Sequence, residues 1–263
     1  MTRALLGLGA AVVLVVALVT SVALHRPADG TWLSAADLRA DGEGGTVLAH
    51  TVPSKKPKAK PQPKPLLPPA SKPYFRTGTN AVALTFDDGP DPRWTPQVLA
   101  LLRKYHVKAT FCMIGVNVRA HPDLVRKIAK DGHALCNHST THDLHLKKKS
   151  RAAILSDLRH TNALITKASG GIAPTYFRAP GGNWSGVIVS AARSLGMASI
   201  GWNVDPKDWT KPPSSTIVAR VRAGMAPGVI VLMHDGGGDR SRSVAALKVL
   251  LPPLKSRYRL TRL

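Results

Sequence analysis

Apolar and polar positions along the chain change pattern twice. Residues 4–24, ALLGLGAAVVLVVALVTSVAL, are uninterrupted by charge. A run of about 20 apolar residues is long enough to cross a bilayer as a helix. Between residues 25 and 78 the apolar pattern stops, and in PSKKPKAKPQPKPLLPPASKP Lys and Pro alternate. From residue 80 onward short apolar runs alternate with helix-spaced ones. The short runs predict strands at 81–86, 108–115, 133–139, 175–180, 197–205 and 228–235. The spaced runs predict helices at 95–106, 121–132, 151–170, 185–196, 214–224 and 242–258. Pro96 suits the first turn of the first helix, and Gly132 stops the second.

Repeated strand–helix units imply a parallel sheet covered by helices, an α/β fold. Six or seven units fit a deformed barrel or an open doubly wound sheet. Chemically capable residues follow several strands: Asp87 and Asp88, His138, Arg178, Asp205 and Asp208, and His234. A barrel builds its site from the C-terminal ends of many strands, whereas an open sheet uses a switch point to which fewer contribute. The barrel is therefore the expected fold.

The remaining composition divides the chain. Residues 1–25 read as a signal anchor or a cleaved signal peptide, with Ser21-Val22-Ala23 a weak cleavage site. Either reading sends the rest of the chain out of the cytoplasm. Residues 26–78 read as a disordered linker, because Pro removes donors, lysines repel, and little apolar surface offsets the ordering entropy. Residues 79–263 form the folded domain. The net charge of +22 attracts anionic polymers or lipid. Export, few aromatics and no recognised module exclude nucleic acid. The two cysteines, Cys112 and Cys136, form no disulfide framework but can pair with each other if their strands are neighbours.

In NHSTTH, His138 and His142 lie four residues apart, a spacing that suits two metal ligands. Ser139 stands where a zinc protease of the H-E-x-x-H type has its glutamate, so that reading lacks a general base. TFDDGP supplies a candidate third ligand, with an ordinary Asp-rich turn as the alternative reading of the same residues: two adjacent carboxylates ending a buried strand are costly without a cation or solvent. One can bind metal while the other takes a proton. His133 and His145 read as structural or surface residues.

Taken in order, TFDDGP, NHSTTH, FRAPGG, NVDPKDW and VLMHD resemble the polysaccharide deacetylase family, carbohydrate esterase family 4, also called the NodB-homology domain. The resemblance covers roughly residues 80–263. It implies a distorted (β/α) barrel, TIM-like but with fewer than eight units, and metal-dependent removal of acetyl groups from glycans. It implies that Asp88, His138 and His142 bind the metal, usually zinc, with another divalent ion such as cobalt possible. Asp87 would be the base and Arg178 its partner; His234 would be the acid and Asp205 its partner. Gly181 would serve the oxyanion, and Trp209 and Leu232 would enclose the acetyl methyl.

Many family members carry an aromatic before the glycine of the third motif, where this chain has Gly181-Gly182 after Pro180. Trp184 or Trp94 could replace that sugar-facing wall; Trp94 and Trp202 otherwise read as core. The leading expectation is an extracytoplasmic, monomeric N-deacetylase of peptidoglycan N-acetylglucosamine, held at the membrane or secreted to the anionic wall. A chitooligosaccharide deacetylase or acetylxylan esterase is the alternative within the family. A wall-binding protein without activity would be expected to have lost part of the constellation. A two-His-one-carboxylate iron oxygenase fits poorly with a second adjacent Asp.

Overall fold

The computed structural model describes residues 64–263; the apolar run at 4–24 and the linker up to residue 63 lie outside them. Among the described residues no helix is long and apolar enough to cross a membrane. Seven strands form one sheet. In chain order they are β1 (Val82–Asp87), β2 (Thr110–Met113), β3 (Ala134–Asn137), β4 (Tyr176–Phe177), β5 (Ala198–Ser199), β6 (Ile230–His234) and β7 (Leu260–Thr261). The order is β5-β4-β3-β2-β1-β6, and β7 pairs with the start of β1. Every pairing is parallel. The helices are α1 (Thr95–Lys104), α2 (Gly115–Ala120), α3 (Pro122–Lys130), α4 (Arg151–Ala168), α5 (Gly186–Ser194), α6 (Ser214–Gly224) and α7 (Ser241–Arg257). The architecture is the expected distorted (β/α) barrel; the short α2 and β7 were not anticipated.

Strand parity sorts the core into two layers, because successive side chains on a strand face opposite ways. Val82, Leu84 and Phe86 of β1 cluster with Phe111, Leu135, Val231 and the helix residues Leu99, Ile128 and Leu250. The alternate residues Ala83, Cys112, Cys136, Tyr176 and Ile230 form a second cluster. Further along the same inward row stand Asp87, His138, Arg178 and His234. The row thus changes from apolar to ionisable towards the strands' C-terminal ends. Cys112 and Cys136 are register partners on β2 and β3 and are bonded to each other.

The expected linker boundary at residue 78 needs correction. Leu67 is buried in the inner cluster with Tyr176 and Leu263, and its N–H donates to the Tyr176 hydroxyl at 3.3 Å. Tyr74 bridges to Ile200 and Arg76 to Val229, while Val204 bridges to Val231. These contacts close the seam between β5 and β6. Phe75 lies against Gly201, where an added Cβ would come within 2.5 Å of its ring. Isolated contacts of this kind leave no periodic pattern, so a Pro-rich stretch conceals them.

Candidate active site

Asp87 ends β1 and is buried. Arg178, fully buried just after β4, donates from one terminal nitrogen to Asp87 Oδ1 at 2.6 Å and to Thr85 Oγ1 at 2.8 Å. Its other nitrogens donate to the carbonyls of Ile200 and Gly201 at 3.2 and 3.0 Å. A buried guanidinium is tolerated only when paired and hydrogen-bonded; here both conditions hold, and Asp87 is fixed in place.

Asp88 adopts a left-handed backbone, φ 70°, and its carboxylate, like that of Asp87, stands within 3.6 Å of His138 Nε2. Its carbonyl accepts from Asn117 Nδ2 at 2.8 Å. Gly236 and Gly237 lie so close that an added Cβ would meet Asp88 atoms at 2.3 and 2.6 Å. The loop after β3 is held by its own side chains. Asn137 Oδ1 accepts from Ser139 N at 2.8 Å, and Ser139 Oγ accepts from His142 N at 3.1 Å. Ser139 and His142 are both left-handed, at φ 65° and 56°. Such backbone at non-glycine residues costs on the order of 1–3 kcal/mol each and concentrates at functional sites.

This folding brings one Asp88 oxygen and two imidazoles together. Asp88 Oδ1 lies 3.6 Å from Nε2 of both His138 and His142. It is buried and has no hydrogen-bond partner, a cost that a cation would remove. His138 Nδ1 lies 2.8 Å from the Arg178 carbonyl. A carbonyl only accepts, so the proton sits on Nδ1 and Nε2 presents its lone pair, the arrangement expected of a metal-binding histidine. Burial, then the nearby His138, pushes the His142 imidazole below its ordinary pKa despite the opposing carboxylates, which favours the neutral ligand form. The three residues fit a divalent metal ion.

His234 ends β6 and is the register partner of Asp87. Its expected partner was Asp205; the structure corrects this to Asp208. Asp208 Oδ1 accepts from His234 Nδ1 at 2.7 Å, and Asp208 Oδ2 accepts from the His234 N–H at 3.0 Å and from Ser243 Oγ at 2.7 Å. Burial alone would lower the His234 pKa, but the bond to Asp208 and the charges of Asp208, Asp87 and Asp88 raise it above the ordinary imidazole value. Burial opposes ionisation of Asp208, yet its bonds to His234 and Ser243 hold its carboxyl below the usual range. Asp205 Oδ1 instead accepts from Lys207 N at 2.7 Å. That local turn, which Asp makes with the backbone two residues on, lets the chain fold back and carry Asp208 to His234.

A cleft of about 460 Å³ opens over these groups. Leu232, Gly181, Trp209 and Asp205 line it, as do Leu144, Asn183 and Trp202, which the motifs did not flag. Trp209 is 51% exposed and Leu144 48% exposed. Trp202, expected in the core, stands over the Arg178 guanidinium at 5.6 Å and beneath Gly182. Trp184 packs against Phe177 in a core cluster, and Trp94 precedes α1 under Arg93. Neither lines the cleft; beside the two glycines of the third motif its wall is made by Leu144, against Gly181, and Trp202, against Gly182.

His133 is buried beside Phe111, accepts from Ala109 N at 3.1 Å, and is pushed by burial down to a pKa of about 4. His145 is exposed. Asp235, which no motif role covers, is completely buried and accepts from Thr95 Oγ1 at 2.6 Å; burial pushes its pKa up to about 7.

A family model described as polysaccharide deacetylase matches residues 76–200. A peptidoglycan-N-acetylglucosamine deacetylase of Bacillus cereus is 42% identical over 176 residues, covering 66% of this chain and 81% of that one. A chitooligosaccharide deacetylase of a Bradyrhizobium species is 38% identical over 192 residues, covering 69% and 87%. Among solved structures, a family 4 carbohydrate esterase pseudoenzyme of Bacillus anthracis superposes with a TM-score of 0.68 at 29% identity, covering 74% of this chain and 68% of that one. With a relative this close and the motifs gathered in one cleft, the chain belongs to the polysaccharide deacetylase family.

Proposed function

We propose that this chain hydrolyses the N-acetyl group of N-acetylglucosamine residues in peptidoglycan, with zinc at Asp88, His138 and His142. The fold alone does not carry activity, since a pseudoenzyme shares it. The observation that carries the reading is the pairing of Asp87 with Arg178 and of His234 with Asp208 beside an intact ligand set.

Asp88, His138 and His142 would hold a divalent ion, which would supply a water of lowered pKa and polarise the acetyl carbonyl. Asp87, oriented by the Arg178 guanidinium, takes the proton released as water oxygen adds to the acetyl carbon. The Gly181 N–H faces the developing oxyanion. His234 gives its proton to the amide nitrogen as the carbon–nitrogen bond breaks, since an amine leaves poorly unprotonated. The products are acetate and a glucosamine residue. Leu232 and Trp209 take the acetyl methyl. The enzyme works as a monomer outside the cytoplasm, with residues 1–25 as its anchor or signal.

Chitooligosaccharides are the second reading, favoured by the rhizobial relative's name. Acetate release by the full chain from peptidoglycan and from chitooligosaccharides tests both. Zinc should be required, chelation should stop release, and Asp87→Asn should lower kcat by about 10²-fold or more. Release unaffected by chelator or by Asp87→Asn would refute the assignment.

A further inference from the structure

We propose that Lys147, Lys207 and Lys211 form a cationic rim that recognises carboxylates on the glycan beside the reacting acetamido sugar. This rests on the deacetylase reading of the cleft and goes beyond it, because it names the feature that separates an anionic from a neutral glycan.

Lys147 lies in the helical turn Leu146–Lys148, and Lys207 and Lys211 flank the turn Asp208–Thr210, each close in the chain to lining residues of the cleft. Lys147 Nζ lies 3.5 Å from Oδ1 of Asn183, a lining residue. Lys207 follows Asp205 and precedes Trp209 by two residues in each case, and both lining residues fix its place. Lys211 follows Trp209 by two residues. Its ammonium lies 3.7 Å from the Cβ position of Gly238, in the glycine loop whose Gly237 abuts the Asp88 carboxylate. Lys207 and Lys211 are exposed, and both hold left-handed backbone, φ 53° and 57°, on either side of the turn Asp208–Thr210. None of the three lies in an ion pair, whereas nearby Lys149 is neutralised by Asp143 at 2.7 Å.

Electrostatics gives the rim a task. The cleft lining holds Asp87, Asp88 and Asp205, with Asp208 behind His234. Asp87 is paired with Arg178, Asp208 with His234, and Asp88 stands in the metal-ligand set, so Asp205 is the lining carboxylate that rim cations must offset when an anionic polymer approaches. Exposed Asp239 offsets part of the charge of Lys211 and Arg93. Unpaired cations at a rim act on encounter and selectivity, and salt screens them. A neutral chitooligosaccharide offers them nothing.

The test compares insoluble peptidoglycan with the same material after its carboxyl groups have been chemically amidated. Binding is measured by sedimentation of the full chain carrying Asp87→Asn, with and without Lys207→Gln and Lys211→Gln together, and with Lys147→Gln alone. At about 0.05 M salt the double variant should lose about tenfold in affinity for untreated peptidoglycan and less than about twofold for the amidated form. At about 0.5 M salt the difference should close. Equal loss on both materials, or no loss on either, overturns the proposal. Acetate release by the chain with Asp87 intact is followed in parallel. If it fails on every substrate, the deacetylase reading falls while the binding comparison still decides the rim.

Discussion

At the scale of single residues, the assignment of the acid's partner has a direct consequence. His234 holds its proton above the ordinary imidazole range because Asp208 accepts from it. On the proposed mechanism His234 is competent as the acid below that raised pKa and loses its proton as pH rises through it. Asp208→Asn should therefore move the alkaline limb of the kcat profile to lower pH, while Asp205→Asn leaves the limb in place. A limb that moves with Asp205→Asn instead would reverse the assignment. The motif NVDPKDW offered two aspartates three residues apart, and only the turn between them decides which one faces His234. Asp235 carries a second prediction. Its folded pKa of about 7 exceeds the ordinary value of about 3.9, so its contribution to stability is complete below that ordinary value and is lost as pH rises towards 7. Asp235→Asn removes that loss. Thermal midpoints should show the variant gaining on the parent between pH 5 and pH 8; a constant difference would show that Asp235 is ionised throughout.

At the scale of elements, the sequence was readable wherever side chains repeat with a period. β1, β2, β3 and β6 and the helices α1, α3, α4, α5, α6 and α7 follow apolar spacing and lie within a few residues of expectation. Strand endings also placed Asp87, Asp88, His138 and His234 in one cleft, with Arg178 buried behind Asp87, because parallel strands share a direction and so share an end. The elements that escaped are short and defined by partners: six-residue α2, two-residue β7, and the seam residues Tyr74 and Arg76. α7 runs through Pro252 and Pro253. The carbonyls four residues earlier, on exposed Lys248 and Val249, lose their helix donors but remain open to water. Leu67 is the measurable case among the seam contacts. Truncating it in the inner cluster should cost about 2–4 kcal/mol, the range for a buried Leu→Ala change. Denaturant unfolding of Leu67→Ala checks this, and a cost under about 0.5 kcal/mol would return residues 64–78 to the status of linker.

At the scale of the whole molecule, charge and chemistry are separated. The chain has 37 Lys and Arg against 15 Asp and Glu, yet several of its acids converge on the cleft. Asp87, Asp88, Asp205, Asp208 and Asp235 all lie in or beneath it. A net charge of this sign would attract an anionic polymer over long range, while the cleft floor offers carboxylates to a metal ion and, on the proposed mechanism, to a base.

The stitching of the seam also bears on how the chain could be re-cut. Leu67 and Leu263 meet in the same inner cluster against Tyr176, and β7 lies along β1, so the beginning and end of the described fold are neighbours. Gly170 and Gly171, after α4, are left-handed, with nothing within 4 Å of their Cβ positions. A circular permutant opened there, with residue 263 joined to residue 64 by a short flexible linker, should keep every strand pairing and the parent's affinity for added zinc. Loss of zinc binding in a folded permutant would mean that connectivity through α4, and not packing alone, holds the loop of His138 and His142 in place.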